Sequence, residues 1–186
     1  MPRGPAGPLW SLTRRSGIVR CVEDLFRDHG LTRRFTKTEL GRLLGTLERV
    51  EFLTGEALCV QDEPSPGLFL VSHGQTRVLQ HLEGHGENVP LTELQAPTVI
   101  GEIELVTGRT AVSTVRAVTP VVAHLLDVET YRTMVAVRDS LVMKMLANIA
   151  HVVTTRLVES NRRYLSTVDQ THFDSLASAL HSWEVT

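Results

Sequence analysis

From Val50 to Val128 the sequence falls into short β-type segments: "VEFLTGEALCVQ", "GLFLVSHGQTRVLQHL", "NVPLTEL", "PTVIGE", "STVRAV" and "VVAHLLDV". Between them stand turn formers: Gly55, "DEPSPG", Gly74, "EGHGEN" and "QAP". Runs of β-branched and aromatic residues bounded by such punctuation read as strands. No segment shows the long strand–helix alternation of a parallel sheet. About eight strands packed into so short a stretch therefore predict an antiparallel barrel or jelly roll.

Helical periodicity flanks this roll on both sides. Ile18, Val22, Leu25 and Phe26 recur at helical spacing, and Gly30 suits the stop. Thr36 with Glu39 three residues on forms a capping box, and Leu40, Leu43, Leu44 and Leu47 line one face after it. Helices are thus expected within 18–48 and a β-roll over 50–128. A long helix is expected over about 138–163, entered through Tyr131, Met134 and Val135. Residues 1–16, with Pro2, Gly4, Pro5, Gly7 and Pro8, read as a mobile tail. Residues 164–186 read as a tail or short helix carrying Phe173, Leu176, Leu180 and Trp183 on one side. The domain proper is expected at 17–163, mainly β with flanking helices.

Composition excludes more than it selects. A net charge of −2 supplies no general attraction to nucleic acid or anionic membrane, although Arg3, Arg14, Arg15 and Arg20 precede the first acid, Glu23. Uninterrupted apolar runs fall short of the roughly 18 to 20 residues of a membrane span, and the N-terminus lacks the apolar core of a secretory signal. Cys21 and Cys59 have no metal-like spacing, so they read as thiols in a reducing, cytoplasmic setting. His81 and His85, with His73 nearby, lack a third ligand and read as a solvated hairpin rather than a metal site. There are no paired carboxylates, P-loop or nucleophile elbow. The chain is expected to be no enzyme, with no metal and no cofactor.

Several pieces then occur in one order. They are "TELGRLL" in the leading helix, Phe52 with Gly55-Glu56, and Gln61 eight residues before Phe69. "LFLVSHG", "IGEIEL", "STVRA" and "RLVESN" follow. Over about residues 35–163 this set resembles the cyclic-nucleotide-binding domain family, which includes the catabolite activator protein and regulatory subunits of cyclic-AMP-dependent kinase. The resemblance implies a jelly roll and a phosphate-binding cassette around Gly101-Glu102. Gly101 would let the backbone approach a sugar, and Glu102 would accept a ribose hydroxyl. Ile103, Arg109, Thr110, Ser113 and Thr114 complete the implied binding set, for cyclic AMP or cyclic GMP.

One position departs from the pattern. The family cassette usually carries an arginine ten residues after the glycine. Here that position is Ala111, and the nearest arginine is Arg109, in "Arg109-Thr110-Ala111". A charge-assisted bond to a phosphate is worth about 1.5 to 3 kcal/mol. Two readings stay open. The chain is a ligand-sensing module for a cyclic nucleotide, cyclic AMP first, using Arg109 and signalling through the long helix. Alternatively it is a degenerate fold serving as a protein-interaction or oligomerisation module.

The long helix carries Leu141, Met145, Ile149, Val152 and Leu157 in a near-coiled-coil seam. A homodimer through it is expected, with a protein partner for output. Only 23 residues follow Arg163, too few for the DNA reader of transcriptional relatives, so direct nucleic-acid binding is not expected.

Overall fold

In the computed structural model, residues 19–27, 29–82 and 88–167 are described. The tail 1–16, the segment around Phe173 and Trp183, and His85 lie outside them. Helix α1 spans Val19–Phe26 and α2 spans Lys37–Thr46. Thr36 Oγ1 accepts the Glu39 N–H at 3.2 Å, and Glu39 Oε2 accepts the Thr36 N–H at 2.8 Å, so the capping box forms as read. The stop expected at Gly30 is corrected: α1 ends at Phe26, and Gly30 opens a 3₁₀ turn, Gly30–Thr32. Side chains close that junction instead of glycine. The Thr32 hydroxyl donates to Phe26 O, and His29 Nδ1 accepts the Leu31 N–H at 3.1 Å.

Eight strands follow: β1 Glu48–Phe52, β2 Ala57–Cys59, β3 Gly67–His73, β4 Gln75–Gln80, β5 Val89–Gln95, β6 Thr98–Ile100, β7 Thr114–Ala117 and β8 Val121–Asp127. They form two antiparallel four-stranded sheets, ordered β1-β8-β3-β6 and β2-β7-β4-β5. The strand–crossing pattern is that of a jelly roll. Val50, Phe52, Leu58, Phe69, Val71, Ile100, Val115 and Val121 fill the space between the sheets. Phe52 and Phe69 meet edge to face with ring centroids 5.8 Å apart.

The alternate residues Leu68, Leu70 and Leu126 point to the other face of the first sheet, yet they are fully buried. Central strand β3 is thus apolar on both faces, which is why "GLFLV" reads as one continuous run, while β8 places His124 beside Leu70 on the outer face. Helix α4, Val128–Ala136, packs on β8. It starts at Asp127, whose carboxylate accepts the Thr130 N–H at 2.9 Å.

The last helix, α5, runs Ser140–Thr167. It begins later than the expected 138 because Arg138 takes a left-handed conformation (φ 54°) and Asp139 Oδ1 then accepts the Leu141 N–H at 2.9 Å. The chain divides into two units after Ile149. In the first, Leu141, Met145 and Ile149 are buried. The carboxamide of Asn148, itself buried, donates to Leu31 O (2.8 Å) and Arg33 O (2.7 Å), closing the carbonyls of the 3₁₀ turn. Lys144 Nζ meets Glu39 Oε1 at 2.7 Å and, with the Thr36 amide, holds the Glu39 carboxyl down to about 2. In the second unit, Leu157, Val158, Tyr164 and Leu165 are exposed. The segment Ser140–Leu165 is long and apolar enough to cross a membrane by length and composition alone. This corrects the count of uninterrupted runs, because a window average tolerates Lys144 and Asn148. A soluble core helix passes the same test, and four of the segment's apolar residues, Leu141, Val142, Met145 and Ile149, lie in the core of the first unit.

One buried basic group gives the fold a pH signature. His124 on β8 lies opposite Arg49 of β1, and its Nε2 is buried with no hydrogen-bond partner. Burial, and then the Arg49 charge, hold its pKa below the ordinary 6.5. The unfolded chain therefore takes up this proton first. The contribution of neutral His124 is fully present above about 6.5 and is lost as pH falls below it. Urea unfolding should show lower stability at pH 5.5 than at 7.5, and His124→Phe should reduce that difference relative to the parent.

Candidate functional site

The loop between β6 and β7 is built on a close backbone contact. Gly101 takes φ 87°, ψ 14° and caps helix α3, Glu102–Thr107. A Cβ at Gly101 would lie 2.2 Å from Gly67 O, so no side chain fits. This approach seats α3 at the start of β3. Gly108, also left-handed, ends the helix by donating its N–H to Glu104 O at 2.8 Å. At six residues α3 is under two turns long. Its own dipole is therefore a minor source of attraction for an anion, and a charge complement must come from a side chain.

On α3, Glu102, Glu104 and Leu105 are buried, whereas Ile103 and Val106 are exposed. Glu102 is only 4% exposed, less than Leu105 beside it. A carboxylate so placed is costly unless it is engaged by polar partners, and Glu102 does have an interaction within the chain. Glu104 Oε1 accepts the Val112 N–H at 2.9 Å, bracing the far side of the loop against the helix. Both carboxylates lie within electrostatic reach of Cys59 on β2. Burial pushes the Cys59 thiol up to about 11, and the charges of Glu104 and Glu102 add to it against a backbone hydrogen bond at Val115. Such a thiol is an inert packing group at neutral pH.

The position where an arginine was sought holds Ala111, which is 1% exposed. Its backbone is pinned on both sides: Ala111 N–H donates to Glu63 O at 2.9 Å, and Asp62 N–H donates to Ala111 O at 2.8 Å. Arg109 and Thr110 are exposed. The Arg109 amide reaches Thr107 Oγ1 at 3.4 Å, but its guanidinium makes no ion pair or hydrogen bond among the described residues. The other cation of the segment, Arg116, donates to Gly55 O at 3.0 Å from the outer side of β7. Arg109 is therefore the uncommitted cation of this loop.

The two hydroxyl residues are held by their neighbours. Ser113 Oγ donates to Gln80 Oε1 at 3.0 Å, and Thr114 Oγ1 accepts the Gln61 N–H at 3.0 Å. The Gln61 side chain in turn bridges both backbone groups of His81. Of the residues expected at the site, Gly101, Glu102 and Thr114 are buried and Ser113 is half-buried. Ile103, Arg109 and Thr110 are exposed. Glu104 and Gln80 escaped the sequence reading, and Gln61 was read there only as part of the ordered set, without its bonds to Thr114 and His81. A second acid in the apolar hexapeptide "IGEIEL" was the available signal for Glu104.

A β-roll closed by helices, with a glycine-opened acidic loop between its sixth and seventh strands, defines a ligand-sensing type of domain. The chain belongs to the cyclic nucleotide-binding domain family, whose model matches residues 49–143. Solved structures with this fold include a cyclic nucleotide-binding domain from Methylobacillus flagellatus. It is 18% identical at a TM-score of 0.72, over 82% of this chain and 87% of that one. The catabolite activator protein of Thermus thermophilus is 21% identical at 0.63, over 73% of this chain and 61% of its own length. The regulatory subunit of a cAMP-independent protein kinase A from Trypanosoma brucei is 18% identical at 0.60, over 81% and 52%. No protein of curated function matches the sequence at a significant level.

The geometry at Gly101 sets a measurable cost. Gly101→Ala should destabilise the fold by about 2 to 4 kcal/mol, since it combines a left-handed φ with a backbone clash. Urea denaturation monitored by circular dichroism reads this directly. Gly108→Ala, which meets no atom within 4 Å, should cost less.

Proposed function

We propose that the chain is a regulatory module that senses a cyclic nucleotide, cyclic AMP first and cyclic GMP as the comparator. In this reading Gly101 and Glu102 hold the ribose and Arg109 pairs with the phosphate. The observation that carries it is the burial of Glu102 at the start of α3, directly after the left-handed Gly101. The free guanidinium of Arg109 supports the phosphate role. The fold alone does not choose a ligand, since the Trypanosoma brucei neighbour is the subunit of a cAMP-independent kinase. The second reading, a degenerate domain acting through protein contacts, rests on Ala111 standing buried and pinned where the family pattern has an arginine. Ligand titration separates the two. Cyclic AMP at a hundred times its dissociation constant should add about 2.7 kcal/mol of stability. Arg109→Ala should weaken binding by roughly tenfold or more, read by calorimetry. Equal affinities would remove Arg109 from the site, and no binding by the parent would favour the degenerate reading.

Output in this reading runs through α5. Binding would shift the helix between two positions without chemistry, and a homodimer or a protein partner would register the shift. Leu141, Met145 and Ile149 belong to the core of the first unit, so an interface must use residues beyond them. Val152 and Leu157 remain from the expected seam. Val158, Tyr164 and Leu165 extend it, with 157 and 164, and 158 and 165, each seven apart. An exposed apolar stripe of this kind favours pairing. The free thiol Cys59 accords with a reducing, cytoplasmic location. Light scattering at micromolar concentration should give a dimer mass for the parent and a monomer for Leu157→Glu; a parent that stays monomeric contradicts the pairing.

A further inference from the structure

Consecutive amides at the end of the loop are both taken by the protein itself. Ala111 N–H is held by Glu63 O, and the next amide, Val112 N–H, is held at 2.9 Å by a carboxylate oxygen of Glu104. Glu104 is 8% exposed, so this carboxylate lies inside the loop and not on its rim. A hydrogen bond to an ionised acceptor is roughly twice as strong as one between neutral groups. An anion approaching position 111 must displace that bond, and it must also settle beside a buried negative charge, which opposes it. Glu102 adds a second buried carboxyl on the same helix. Burial first, and then the charges of these two acids, push the Cys59 thiol up, against a backbone hydrogen bond at Val115.

We propose that Glu104 is the specificity-determining residue of the cassette: an internal carboxylate that holds the amide next to Ala111 and so lowers the affinity of the loop for cyclic phosphates. The proposal rests on the reading of this loop as a nucleotide site. On this assignment the loop keeps Gly101 and Glu102 and is nonetheless a weak anion binder. Weakness then has two sources: Ala111 supplies no cation, and Glu104 supplies a competing anion. Exposed Arg109 can offset only one of these. Under this assignment the parent responds only to high nucleotide concentrations, or to a ligand less negative at that end.

Glu104 could also serve solely as a brace for the loop, and one substitution separates the roles. Glu104→Gln keeps the size and an acceptor for the Val112 N–H but removes the charge. Calorimetry with cyclic AMP is run on the parent and on Ala111→Arg, each with and without Glu104→Gln. Thermal melts confirm that each variant is folded. The assignment predicts at least a tenfold gain in affinity from Glu104→Gln on whichever background binds measurably. A smaller gain, no change or a loss overturns it and leaves Glu104 as a brace, while the nucleotide reading stands. Absence of binding on both backgrounds removes the nucleotide reading, and the assignment falls with it.

Discussion

The site depends on one contact between two stretches of backbone, Gly101 over Gly67. With a Cβ at Gly101 only 2.2 Å from Gly67 O, the loop can cross the start of β3 only if position 101 has no side chain. That crossing fixes where α3 begins and which way it turns. Glu102 and Glu104 are consequently directed inward, while Ile103 and Val106 face outward. The left-handed Gly108 then releases the chain toward Ala111, where two backbone hydrogen bonds lock it to residues 62 and 63. Every polar group of the loop takes its place from this frame.

The frame creates an electrostatic problem with a clear sign. Two carboxylates are buried in the loop, and its two cations are at the surface. Buried charges of one sign demand partners or ligands. Glu104 finds the Val112 amide. Glu102 is engaged within the chain, and a ribose hydroxyl is a further donor it could accept. In the proposed reading a phosphate is matched by Arg109, which stands on the exposed turn. The family fold persists here with an acid buried in the loop and Arg109 exposed two positions before the buried Ala111.

Much of this was legible beforehand because local rules and tertiary packing agree. The capping box at Thr36 and Glu39, the turn at Gly74 and the continuous apolar run at 67–71 each specify an element without help from distant residues. What escaped was set by contacts remote in sequence. Asn148 reads as an ordinary helix residue until its carboxamide meets the carbonyls of Leu31 and Arg33, more than a hundred positions away. The stop at Gly30 failed because His29 and Thr32 supply the capping hydrogen bonds themselves. Glu104 could be seen as an odd acid, but its partner Val112 is defined only once the loop closes. Arg109 and Ala111 stand out in the sequence as the departure from the family pattern, and the fold adds their exposures, one at the surface and one buried.

The central claim is that a cyclic phosphate enters this loop and is met by Arg109 and not by residue 111. The most direct measurement is a ¹⁵N–¹H spectrum of the protein titrated with cyclic AMP, followed at the Arg109 Nε–Hε group and at the backbone amides of residues 101–114. The account predicts that the Arg109 side-chain signal shifts with the same saturation curve as the amides of Gly101 and Glu102. Loop amides that shift while the Arg109 side chain does not move, or shifts confined to residues outside the loop, would contradict it.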